Sequence, residues 1–252
     1  MEHFLIKGIS PFIACIVAFF IGCIGGAITG LLHVKLKITN LLCGILVMLG
    51  LYSVNLRIMT KSNIPLFAKK TVFSSSIMPL IIIFAFAIIV KITLDLFLKT
   101  KLGFILTAVG NNEQLVTMLG VNRDNIKVLG LILSNGIVSL AGGLMAQYQG
   151  FSDVGMGTGI VVTGLAAVIM GDAIFKKIRL IKPTTRVIFG AIIYKGVIAI
   201  AIKLGLAATD LKLITAIIVV IALSLNNNNF KFKVKRKSFV GGDINASNRR
   251  AL

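Results

Sequence analysis

Long apolar runs alternate along this chain with short polar, mostly basic intervals, and several of the runs are long and unbroken. A helix needs roughly 20 mostly apolar residues to cross a hydrocarbon layer about 30 Å thick. Seven stretches meet or approach that length: Ile9 to Leu32, Leu41 to Met59, Ser76 to Leu98, Ile126 to Tyr148, Gly159 to Phe175, Val187 to Leu204 and Leu211 to Leu225. None shows the period-two alternation of a membrane barrel, and an open sheet in lipid would leave backbone polar groups unpaired. The pattern therefore predicts an all-α, polytopic transmembrane helix bundle of about seven spans. It occupies residues 1–225, and the Asn-rich, basic tail 226–252 is expected to be disordered.

Composition places the chain in the same class. It is 57% hydrophobic and 14% charged, with a mean hydropathy of +0.98, outside the range of soluble domains. The charge is one-signed, 27 Lys and Arg against 8 Asp and Glu, which in a soluble protein would suggest a nucleic-acid partner. Position argues otherwise. With the C-terminus cytoplasmic, 18 of the 27 basic residues fall on the cytoplasmic side and five on the other. That is the bias of a bacterial plasma (inner) membrane protein, and no nucleic acid is needed to explain it. An odd number of spans then leaves the N-terminus outside. The ten residues MEHFLIKGIS lead into Pro11 at the first helical position, with no small-residue cleavage site that would mark a signal peptide.

Small residues cluster inside two spans, from Gly22 to Ala27 and from Ser139 to Gly143, where they let helix backbones approach closely in lipid. Cys15, Cys23 and Cys43 stand singly in apolar runs without CxxC spacing and read as packing residues; neither a metal nor a cofactor is expected. His3 and His33 lie outside the spans. No nucleophile, base and orienting group can be assembled, so the chain is not expected to be an enzyme.

Three features are left to carry function. The first is the polar interval 99–127, which contains AVGNNEQLVTMLGVNRDNI. Asn111 or Asn112 suits an N-cap, Glu113 the first turn, and Gly120 a C-terminal stop, while Leu115, Met118 and Leu119 share one face. Such a short amphipathic helix either rests on lipid headgroups or docks a soluble partner. The second is QYQGFSDVGMGTG, Gln147 to Gly159, with neither a GxGxxG nor a GxxxxGK[ST] pattern; its irregular polar backbone must line a cavity or be buried in protein, and Gly150 to Gly159 is expected to be partly re-entrant or packed against the dimer partner. The third is the set of polar side chains within spans: Tyr52, Asn55, Asn135 and Asp172 are candidates for a translocation path, with interhelical hydrogen bonding as the plainer alternative. Lys91 and Asp95, four apart, can pair on one helix face. No mid-span carboxylate suggests ion coupling, which argues against a stand-alone secondary carrier.

The run from Thr107 to Ile174, with GNNEQLVTMLG at its start and GMGTGIVVTGLAAVIMGDAI at its end, resembles the central region of permease subunits of ATP-binding-cassette importers. The resemblance points to the branched-chain amino acid and ribose permease superfamily, and within it to a branch of amino acid (tryptophan-type) uptake permeases. HVKLKITNLLCGILVMLGLYSVNLRIM, from His33 to Met59, is similar to a second block of that branch. The resemblance implies several partners: cytoplasmic ATPase subunits, a second permease copy as homodimer or heterodimer, and an external solute-binding protein that delivers substrate. It also implies that Asn111 to Gly120 is the coupling helix docking on the ATPase, and that catalysis belongs to the partner. Relatives begin with one further span, so the chain is expected to be short by one helix, and an inactive truncated permease is the alternative.

Overall fold

A computed structural model of the chain describes residues 10–66, 71–74, 78–175, 178, 181–205, 213, 216, 217 and 220. Six helices among the described residues are long and apolar enough to cross a membrane. In chain order, α1 (Pro11–Leu36) and α2 (Asn40–Met59) are followed by a short strand β1 (Asn63–Pro65) and a 3-10 turn at Val72–Ser74. Then come α3 (Pro79–Leu98), α4 (Lys101–Asn111), α5 (Glu113–Met118) and α6 (Arg123–Gln149). Strand β2 (Phe151–Asp153), a 3-10 turn at Val154–Gly157, α7 (Ile160–Phe175) and α8 (Pro183–Lys203) complete the order. The bundle is helical as the apolar runs require. The seventh apolar run, Leu211 to Leu225, and the tail 226–252 fall outside the described residues, apart from four isolated positions of the run.

The described residues fall into two compact units, one within 10–164 and 182–185, the other within 165–181 and from 186 onward. The first is built on the contact of α1 with α6. Gly22, Gly26 and Gly30 repeat every four residues on one face of α1, and a Cβ placed on Gly26 would lie 2.5 Å from the Leu131 carbonyl oxygen. From the other side, a Cβ on Gly136 would lie 2.7 Å from Cys23 Sγ. The small residues thus set backbone against backbone, where dispersion between closely packed atoms replaces the hydrophobic drive that lipid cannot supply.

At one end of this unit the antiparallel β1–β2 pair closes the bundle, in the register Asn63↔Asp153, Ile64↔Ser152 and Pro65↔Phe151. Gly150, at φ 74, ends α6 and turns the chain into β2, while its carbonyl accepts the Leu66 N–H at 2.7 Å. Gln147, buried on α6, accepts the Val72 N–H at 2.9 Å and donates to the Pro11 carbonyl at 3.4 Å, so one amide joins three segments. The glycine-rich interval 150–159 is accordingly strand and 3-10 turn packed on protein.

At the other end, the interval 99–127 is not a loop around one short helix; nearly all of it is helical. The Thr100 hydroxyl accepts from the Gly103 N–H at 3.3 Å to start α4, which is too short to span and so escapes a search for apolar runs. Asp95, on α3, collects three donors: Lys91 Nζ and Lys182 Nζ at 3.1 Å each, and the Thr184 hydroxyl at 2.6 Å. The expected Lys91–Asp95 pair is there, extended by the residues that open α8.

The second unit repeats the glycine contact. Gly171 on α7 and Gly190 on α8 face each other with no room for a Cβ on either, and the buried Tyr194 packs against Ala166 and Met170.

Candidate functional site

Two places in the first unit bring the sequence's candidate residues together. One is α5. Asn112 is its N-cap, its side-chain oxygen accepting from the N–H groups of Gln114 at 3.1 Å and Leu115 at 3.2 Å, whereas Asn111 is the last residue of α4. Gly120, at φ 77, lets the chain leave the helix, with the Val121 N–H returning to the Val116 carbonyl at 3.3 Å. Lys127 Nζ lies 2.6 Å from the Glu113 carboxylate and Arg123 3.4 Å from it, tying α5 to the first turns of α6. The hydrogen bond from Lys127 holds the Glu113 carboxyl below its ordinary value.

Val116, 1% exposed, anchors α5 against Val109 of α4 and Ile126 of α6. That leaves Leu115, Met118 and Leu119 pointing outward, 51%, 87% and 70% exposed. Exposed apolar side chains on a span meet lipid, but these belong to a six-residue helix and its C-cap residue Leu119, in a polar interval between spans. Sequence reasoning missed Val116; its apolar spacing to Val109 and Ile126 was the available signal.

The other place is a cavity of about 1020 Å³ between α1, α2, α6 and the β1–β2 pair. From α2 it takes Asn40, Gly44, Val47, Met48, Leu51, Tyr52, Asn55 and Met59, one face at helical spacing. Twenty residues at 1.5 Å each make that face about 30 Å long, the thickness of a hydrocarbon layer. Thr29 of α1 and Leu131, Asn135 and Val138 of α6 form the opposite wall, and Ile64, Ser152, Asp153 and Thr158 line the end closed by the strands. Such a volume sits at the upper edge of the roughly 300–1,000 Å³ common for small-molecule sites.

Tyr52, Asn55 and Asn135 therefore share one cavity. Asn135 donates to the Leu131 carbonyl at 3.0 Å, which leaves its side-chain oxygen directed to no described donor, and Tyr52 and Asn55 make no side-chain hydrogen bond among the described residues. Asp172 belongs to the second unit, with Arg186 Nη1 3.9 Å from its carboxylate. The sequence reading did not assign a role to Asp153, which among the described residues is the one charged residue lining the cavity.

Comparison with known proteins adds the following. Residues 3–224 match the family model described as branched-chain amino acid transport system, permease component. Over 214 residues the chain is 55% identical to a tyrosine transport system permease protein of Clostridioides difficile (strain R20291), covering 85% of this chain and 72% of that protein. Over 216 residues it is 36% identical to an uncharacterized protein of Rickettsia prowazekii (strain Madrid E), covering 82% of this chain and 76% of that protein. No solved structure matches.

Proposed function

Because the chain belongs to the family of permease components of branched-chain amino acid transport systems, a multi-pass protein of a bacterial inner membrane, we propose that it is the membrane subunit of an ATP-driven amino acid importer. In this reading cytoplasmic ATPase subunits supply the energy, an external binding protein delivers the solute, and a second permease copy completes the path. The cargo is an aromatic amino acid of the tyrosine type, by analogy with the 55% identical relative.

The observation that carries the proposal is α5. Leu115, Met118 and the C-cap Leu119 face outward, its ends are capped, and an ion pair and a buried Val116 hold it rigidly against α4 and α6. A rigid helix with an exposed apolar face fits a groove on a soluble partner, and displacement of that partner moves α6, to which α5 is tied. Tyr52, Asn55 and Asn135 supply polar contacts along the cavity beside α6. Co-purification with the ATPase, combined with uptake of labelled tyrosine by the reconstituted system, tests the proposal. Uptake by the purified chain alone, without ATPase, would instead identify a secondary carrier.

A further inference from the structure

Resting on the amino-acid permease reading, we propose that Asp153 recognises the α-ammonium group of the cargo at the end of the cavity that the loop charges place outside. The solute's side chain then lies along the α2 face that carries Tyr52. Among the described residues, Asp153 is the one charged residue lining the cavity, and no described Lys or Arg forms an ion pair with it. One carboxylate oxygen, Oδ1, accepts the Gly155 N–H at 2.7 Å, which fixes the orientation of the group. The other has no described partner.

The backbone around Asp153 is also fixed. Asp153 pairs with Asn63 in the β1–β2 register, and the next residue's N–H donates to the Ser62 carbonyl at 3.0 Å. Asp153 is half-buried, and an ammonium group placed against its second carboxylate oxygen forms a charge-assisted hydrogen bond there. An amino acid brings such a cation. The cavity's amides and hydroxyls, Asn55, Asn135 and Tyr52, suit the neutral and anionic parts of the same molecule.

A plainer role for Asp153 is to cap the 3-10 turn Val154–Gly157. Asn caps as well as Asp, so Asp153→Asn keeps the side-chain oxygen and removes only the charge. In proteoliposomes holding the complete transporter and binding protein, Asp153→Asn is expected to lower labelled tyrosine uptake roughly tenfold or more, with Asp153→Glu retaining most of it and ATPase co-purification unchanged in both.

A second measurement works without the binding protein. A Thr158→Cys variant, labelled with a thiol reagent in membranes carrying the permease–ATPase complex, is expected to be protected by tyrosine and by tyramine. The deaminated analogue 3-(4-hydroxyphenyl)propanoate, which lacks the ammonium, is expected to give no protection, and Asp153→Asn to abolish the protection by tyrosine and by tyramine. Full uptake by Asp153→Asn, or equal protection by the deaminated analogue, overturns the site while leaving the permease reading intact. Absence of any amino acid uptake by the wild-type system overturns both.

Discussion

Ser139 donates its hydroxyl hydrogen to the Ala18 carbonyl at 2.7 Å, a bond between α6 and α1 that forms only because Gly22, one turn along α1, carries no side chain at the crossing. A polar side chain and a backbone carbonyl meet inside lipid because small residues allow the helices to touch.

The glycines of that contact are expected to be intolerant of any side chain. Gly26→Ala puts a Cβ against the backbone of Leu131 and Ile132, neither of which is a flexible side-chain end, and should cost about 1–3 kcal/mol, with Gly26→Leu failing to fold. Ser139→Ala, losing one hydrogen bond, should cost about 0.6 kcal/mol. Gly142→Ala on α6 meets nothing within 4 Å and serves as the control. Thermal unfolding of the detergent-purified protein ranks Gly26→Ala, Ser139→Ala and Gly142→Ala, and equal losses at Gly26 and Gly142 would contradict the contact.

At α5, Leu119→Asp should leave expression and membrane insertion normal while abolishing ATPase co-purification and uptake. Burying a Leu is worth about 1.5–3 kcal/mol, so replacing it with a charge should weaken docking by roughly a hundredfold or more. Val116→Asp should behave differently, disrupting α5 itself, since Val116 is buried within the protein. Wild-type uptake in Leu119→Asp would mean that α5 rests on lipid.

The Glu113–Lys127 tie has a defined pH window. Glu113 titrates below its ordinary value near 4.5 in the folded state, so the tie contributes fully above that value and is lost as pH falls through the lowered one. Amide exchange at Leu115 and Val116, corrected for its intrinsic pH dependence, should be equal at pH 7 and about pH 5.5 and should rise only in stronger acid. Glu113→Gln should show the faster exchange already at neutral pH.

Asp95 should prove a joint between α3 and the start of α8. Asp95→Ala leaves Lys91, Lys182 and Thr184 without their shared acceptor, a loss of about 1.5–3 kcal/mol for charged hydrogen bonds. Thr184→Val should cost less, because both lysines stay paired. Equal unfolding temperatures for wild type and Asp95→Ala would show that solvent replaces the joint.

Local features were legible in the sequence because local physics determines them. Apolar length places α1, α2, α3 and α6 within a few residues, and Asn112 and Gly120 mark the ends of α5 because a cap and a positive φ are properties of single positions. The small-residue clusters announce close helix contacts, though not which glycines make them: Gly22 and Gly26 do, while Gly142 faces open space. The tertiary structure decided the rest. Asn63 pairs with Asp153, and Lys182 with Asp95, across long stretches of chain that no periodicity connects. The cavity is likewise a property of packing: α1 and α6 touch through glycines, α2 stands against their flank, and the space left over gathers Tyr52, Asn55, Asn135 and Asp153 from three separate segments. A side chain's hydropathy shows that it belongs in a membrane helix, but which neighbour it faces depends on helix rotation and crossing, and only the folded chain sets those.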